Sequence, residues 1–189
     1  MNTLWWQLKD EYARCKWSEQ CHICASERWF SKYGIFLLGG VCLLAVSQAG
    51  LTEFFGECAK VTGRVVLCLS LIVTILAWTS DQQYTARVHN DAANCYYELG
   101  QKYISLMLKI CGNIVDQSSA LDEHKQLGIE LARLSSKFPK TSSRDYSNAK
   151  KRIDSGRLTF GTQKAEIDDK GELDMWFSPE LRGELHVEQ

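Results

Sequence analysis

The sequence predicts an all-α membrane protein: a two-span transmembrane helical hairpin with long cytoplasmic helices and a short irregular or β-hairpin C-terminal tail. Three observations predict it. Two apolar stretches, residues 33–52 and 65–79, lie close together near the start of the chain. The linker between them is too short to hold a domain. No proline occurs before Pro139, which favours long unbroken helices.

The first stretch, YGIFLLGGVCLLAVSQAGLT, carries no charge. As a helix it covers roughly 30 Å, the hydrocarbon thickness of a bilayer. The second, VVLCLSLIVTILAWT, lies between Arg64 and Ser80. It reaches spanning length when residues 61–63 join it and Arg64 snorkels to the interface. The spans are therefore placed at about 33–52 and 61–80. Tyr33 and Trp78 suit interfacial belts. In the linker, Phe54 and Phe55 are expected in the interface, with Gly56 at the turn. The alternative is a buried hairpin in a soluble bundle. A signal peptide is disfavoured, because the first apolar run follows a segment rich in charge and tryptophan.

Residues 1–32 read as an N-terminal amphipathic cytoplasmic helix. Trp5, Leu8, Tyr12 and Cys15 recur at steps of three and four, and Asn2 or Thr3 is suited to cap it. After the 33–80 hairpin, residues 81–138 form a cytoplasmic helical region. A helix is expected to about Ile114, then a break over 116–119, then a helix over 120–138 with Leu121, Leu127, Leu131 and Leu134 on its apolar side. Ser118 or Ser119 is the expected cap. Residues 139–189 form a polar tail, basic to Arg157 and then acidic, with a weak hairpin signal in RLTF and ELDMWF.

The net charge of −1 and the slightly negative mean hydropathy of −0.23 leave most of the chain in water. Basic residues Arg14, Lys16, Arg28 and Lys32 before the first span and Arg87 after the second favour both termini in the cytoplasm. With that topology only Cys58 of the eight cysteines lies outside, so no disulfide framework is expected.

Four groups of residues stand out. Cys15, Cys21 and Cys24 include a Cys-x-x-Cys spacing that supplies half of a zinc site, but no second half follows, and on a helix Cys21 and Cys24 also serve as small apolar packing. Gly63, Leu67, Ser70, Thr74, Ala77 and Asp81 form a narrow small-or-polar stripe. It suits either close span packing or a pore lining. Tyr84, Val88, Ala92, Tyr96, Leu99, Tyr103 and Leu106 form a seam expected between subunits. Lys150, Lys151 and Arg152 lie in a basic run suited to an anion or to solvent. The Asp81, Arg87, His89 and Asp91 cluster reads as the start of a cytoplasmic helix or as gating charge. Catalytic motifs are missing, so neither enzyme activity nor a cofactor is expected.

The hairpin followed by DQQYTARVHNDAANCYYELGQKYISLMLKI, with Ala92, Tyr96, Leu99, Gly100 and Tyr103, resembles the SLATT family of bacterial two-transmembrane effectors over residues 4–138. The resemblance implies a homo-oligomeric effector of the bacterial inner membrane. It would permeabilise or disrupt that membrane in abortive, anti-phage defence. The trigger would be a nucleotide second messenger or a nucleotide-synthesising partner enzyme. Two rival readings stand beside it: a membrane anchor or scaffold, and a nucleotide- or polyanion-binding subunit of a membrane complex.

Overall fold

A computed structural model describes residues 2–54 and 57–155, together with Phe177 and Leu181. The described residues form four helices: α1 (Asn2–Phe54), α2 (Glu57–Cys111), α3 (Gln117–Lys137) and α4 (Ser143–Asp154). The all-α expectation holds among them. The long proline-free run folds as two helices of 53 and 55 residues, because nothing in it interrupts the backbone ladder. The amphipathic N-terminal helix and the first apolar stretch are one continuous helix.

Backbone turns and the residues that favour them set the helix ends. α2 stops at a turn in which Asn113 takes a left-handed backbone, φ 50°. Ile114 N–H donates to the Lys109 carbonyl at 2.9 Å and Asn113 N–H to that of Ile110 at 3.1 Å. This pair of bonds satisfies carbonyls the helix would leave open. The break therefore falls at Gly112–Asp116, earlier than expected, because Gly112 and Asn113 favour that turn. Asp116, rather than Ser118 or Ser119, is the N-cap residue of α3, and the Ser118 hydroxyl donates to its carboxylate at 2.6 Å. α3 ends before Pro139, which restricts Phe138 to extended backbone.

The chain divides into two compact units, one of residues 1–25 and 89–189, the other of residues 26–88. In the first, the start of α1 runs antiparallel to the second half of α2. Tyr12 faces Gly100, where an added Cβ would lie 3.4 Å from the Tyr12 ring. His22, ten residues on from Tyr12, bonds His89, eleven back from Gly100. α3 folds back on α2. Lys102 pairs with Glu130 at 2.8 Å, and seven residues further on Lys109 pairs with Glu123, seven back, at 2.9 Å. His124 of α3 meets Glu11 of α1 at 3.0 Å. Partly exposed pairs such as these contribute about 1 kcal/mol or less each. The register is instead held by a shared apolar core of Leu8, Tyr12 and Cys15 from α1, Tyr96, Leu99, Tyr103, Leu106 and Met107 from α2, and Ala120, Leu127 and Leu134 from α3. Leu131 is partly buried against this core, and Leu121 is exposed.

The tail departs most from expectation. Its basic run folds in part as α4. Ser142 and Asp145 form a reciprocal capping box, with the Asp145 carboxylate accepting from Ser142 N–H at 2.9 Å. α4 buries Ala149 and Ile153. The β-hairpin expectation for the later tail lies outside the described residues. Phe177 and Leu181 are fully buried in the main core, and the Phe177 ring lies 5.0 Å from that of Tyr12. Lys9 is also buried, its ammonium 4.9–5.5 Å above the rings of Trp5, Trp6 and Phe177.

The second unit holds the rest of α1 and the first part of α2. Among the described residues no helix is long and apolar enough to cross a membrane. The side chains of residues 40–64 lie outside that description.

Removing the Phe177 ring leaves a cavity against Tyr12 and Lys9, so Phe177→Ala should lower unfolding stability by about 3–5 kcal/mol. Ser142→Ala should cost only about 1 kcal/mol. Urea titration of the purified chain, followed by circular dichroism, compares the two. A Phe177→Ala loss no larger than that of Ser142→Ala would mean the tail contributes little to the core.

Candidate functional site

The hairpin unit presents apolar side chains outward. On α2, Val65, Leu69, Ile72 and Leu76 are 51, 57, 44 and 59% exposed. Their steps of four, three and four place them on one face of a helix. On α1, Ile35 and Leu38, three apart, are 65 and 70% exposed. A contiguous exposed apolar face of this kind marks a surface for lipid or another protein. Cys68, Leu71 and Ile75 beside it are half-buried. At 100° per residue, positions 63, 67, 70, 74, 77 and 81 fall roughly opposite this face. Asp81 is exposed, whereas the side chains of Gly63, Leu67, Ser70, Thr74 and Ala77 lie outside the described residues.

Most of the α2 seam is covered within the chain. Ala92, Tyr96, Leu99, Tyr103 and Leu106 are buried within one chain, the last four in the main core. The period correctly marks a buried face. The start of α1 and α3 cover it, so the apolar area that suggested a subunit contact here is already removed from water. Tyr84 is exposed and Val88 half-buried.

The three cysteines do not converge. Cys15 belongs to the main core, while Cys21 and Cys24 pack with Ala149 of α4 and with Trp17 in a separate small cluster. Burial pushes the Cys15 thiol up to about 12. Burial, with Cys24 and Asp145 nearby, pushes Cys21 up to about 11. Among the described residues no group of three or more His, Cys, Asp or Glu is placed to hold a metal ion. Lys150 and Lys151 are exposed on α4, and Arg152 is half-buried.

A buried histidine pair was not legible as such in the sequence. His22 Nδ1 lies 2.9 Å from His89 Nδ1, so one nitrogen donates and the other accepts. The Tyr96 ring stacks on His22 at 5.6 Å, and Phe138 approaches it edge-on at 6.4 Å. Burial, reinforced by His89, lowers the His22 pKa to about 4, against a smaller upward pull from Asp145. Charging His22 would put a cation among apolar rings and beside a second imidazole, and burial disfavours that form. His22 stands seven residues after Cys15 on the same helix face, which is the only sequence signal for its burial.

Comparison with known families adds identity to this geometry. The description "SMODS and SLOG-associating 2TM effector domain family 4" matches residues 4–164. The chain belongs to that family. The match reaches through α4, beyond the part in which the resemblance was legible. No curated protein and no solved structure matches the chain.

The histidine pair gives a pH dependence of definite sign. Unfolded, His22 takes a proton near pH 6.5; folded, it does so only near pH 4. The folded state then binds fewer protons between these values, so stability present above pH 6.5 is lost as pH falls toward 4. The loss from this group is at most about 3 kcal/mol. Urea midpoints from pH 7.5 to 4.5 should fall more steeply for the parent than for His22→Phe. Parallel curves would show that His22 is not held neutral by the fold.

Proposed function

We propose that this member of the SMODS and SLOG-associating 2TM effector domain family acts, without catalysis, by assembling in the inner membrane and making it leak, as the response of an anti-phage defence system to a nucleotide signal or a nucleotide-synthesising partner. The observation that carries this reading is the outward apolar face of the hairpin unit: Val65, Leu69, Ile72 and Leu76 on α2, Ile35 and Leu38 on α1. Water would be a costly neighbour for six large apolar side chains, and lipid is not. The opposite register carries the hydroxyl and glycine positions Gly63, Ser70 and Thr74. Small residues let helices from several copies approach closely, and hydroxyls can line a polar path once they do. The basic residues flanking the hairpin favour an orientation with both termini in the cytoplasm.

A second reading is favoured by one observation. The α2 seam is buried inside the chain, so the cytoplasmic helices offer less for assembly than their sequence promised. A hairpin that only anchors these helices, as a scaffold, would fit that. The two readings differ in what happens to the bilayer.

Dye-loaded vesicles carrying the purified chain separate them. With the nucleotide-synthesising partner and its product supplied, leakage is expected for the parent and should be suppressed in the Ser70→Leu/Thr74→Leu double variant without loss of expression. An unchanged release rate in that variant would remove positions 70 and 74 from the lining, and no release from the parent would favour the anchor. Membrane residence is tested apart from leakage. Leu69→Lys with Leu76→Lys puts two charges on the apolar face, each costing about 3 kcal/mol at the centre of a span. The variant should leave the membrane fraction, and its retention there would show that the face does not meet lipid.

A further inference from the structure

All four helices of the cytoplasmic unit meet around one open cavity of about 460 Å³. α1 contributes Arg14, Trp17 and Ser18, which share a face at steps of three and four. Tyr96 of α2, Leu131 and Ser135 of α3, and Tyr146 of α4 complete the lining. The indole of Trp17 and the phenol ring of Tyr146 are stacked, centroids 5.0 Å apart and planes 14° from parallel. Two nearly parallel rings at the wall of a cavity form a platform on which a third flat ring can continue the stack. Arg14 is the single charged side chain of the lining. Its guanidinium holds Asp10 at 2.8 Å on the exposed side of α1. That contact occupies part of a fork with five donors. Ser135 donates its hydroxyl proton to the Ala132 carbonyl at 2.8 Å, which leaves the oxygen free to accept.

A ligand for this cavity needs a planar aromatic ring, one anionic group and polar edges. The volume lies within the range of small-molecule sites and is large enough for a ring, a sugar and a phosphate together. We infer that the cavity is a nucleotide site, in which the base stacks on Trp17 and Tyr146, the phosphate meets Arg14, and Ser18 and Ser135 hydrogen-bond the base or sugar. The inference deepens the proposed function, since it rests on the reading that a nucleotide signal triggers the effector and assigns the place where that signal is read. It differs from the anion reading of Lys150, Lys151 and Arg152, for which the lysines are exposed on α4 and outside the lining. Because the site draws on α1, α2, α3 and α4 at once, an occupant ties the docked α4 to the other three helices.

The test uses the full chain purified in detergent, with adenosine and guanosine 5′-monophosphates as probes and adenosine and inorganic phosphate as controls. Binding is read by tryptophan fluorescence and by the unfolding midpoint. A mononucleotide should quench part of the emission. It should also raise the midpoint by on the order of 5 °C at a hundredfold excess over Kd. Tyr146→Leu, at an exposed position, should weaken binding about tenfold through loss of the stack. Arg14→Gln should weaken the mononucleotides about tenfold and leave adenosine unaffected. Ser135→Phe, also from an exposed position, should fill the cavity and abolish binding of both. No response to either mononucleotide at about a thousandfold excess over protein overturns the inference, as does equal binding by the parent and all three variants. Dye release scored on the same preparations keeps the two proposals apart. Leakage without nucleotide binding overturns the site and leaves the effector reading, while binding without leakage does the reverse.

Discussion

The antiparallel pairing of the start of α1 with the second half of α2 is the contact on which the first unit depends. These two segments lie far apart in sequence, and their ordering cost is met only when both apolar faces close together. Leu8, Tyr12 and Cys15 on one side and Tyr96, Leu99 and Tyr103 on the other supply that closure. Gly100 faces the Tyr12 ring, which a Cβ at this position would meet at contact distance. α3 is then positioned by the same surface, because Leu127 and Leu134 need an apolar floor that α2 alone provides in part. α4 and the tail residues Phe177 and Leu181 dock last in this logic: each offers few apolar groups and must find a surface already built.

Polar contacts refine this arrangement and do not create it. The two lysine–glutamate pairs between α2 and α3 are partly exposed, so solvent screens them. Their matched spacing still shows that one register serves both. The buried groups matter more. His22 and His89 share a bond among Tyr96 and Phe138, so α1 and α2 must arrive together for that bond to form. Lys9 rests among three aromatic rings, one of them from the tail. In both places a polar group under apolar cover demands a specific partner, which narrows the packings available. The Trp17–Tyr146 stack does the same for α4, and it does so at the edge of a cavity rather than in a closed core.

Periodicity was legible where it was long. The apolar recurrence from Leu8 to Cys15 and from Ala92 to Leu106 marked buried faces correctly, since only burial explains such spacing. What covers a face is a different question. A seam on a lone helix looks the same whether a second subunit or a distant part of the same chain packs on it, so the α2 seam pointed to an oligomer. α4 was missed for another reason. It is short and mostly polar, carries Lys150, Lys151 and Arg152, and buries only one small and one large apolar residue, so it reads as part of a basic run. The capping box at Ser142 and Asp145 was its readable signal. The cavity residues are drawn from four helices with no common spacing, and no scan along the chain would have grouped them.

The amino-acid sequence alone determined that the chain would be helical, that its helices would be long, that a charge-poor hairpin would separate two polar segments, and which family it joins. Those properties follow from local terms: absence of proline, a 3.6-residue period, and runs of apolar residues. Tertiary structure alone decided that the α2 seam is internal, that His22 meets His89, that α4 lies against Cys21 and Cys24, and that Phe177 and Leu181 close the core. Each of these joins residues far apart in the chain. Each is selected by shape and by the cost of leaving a buried group unmatched, and neither quantity exists until the chain has folded.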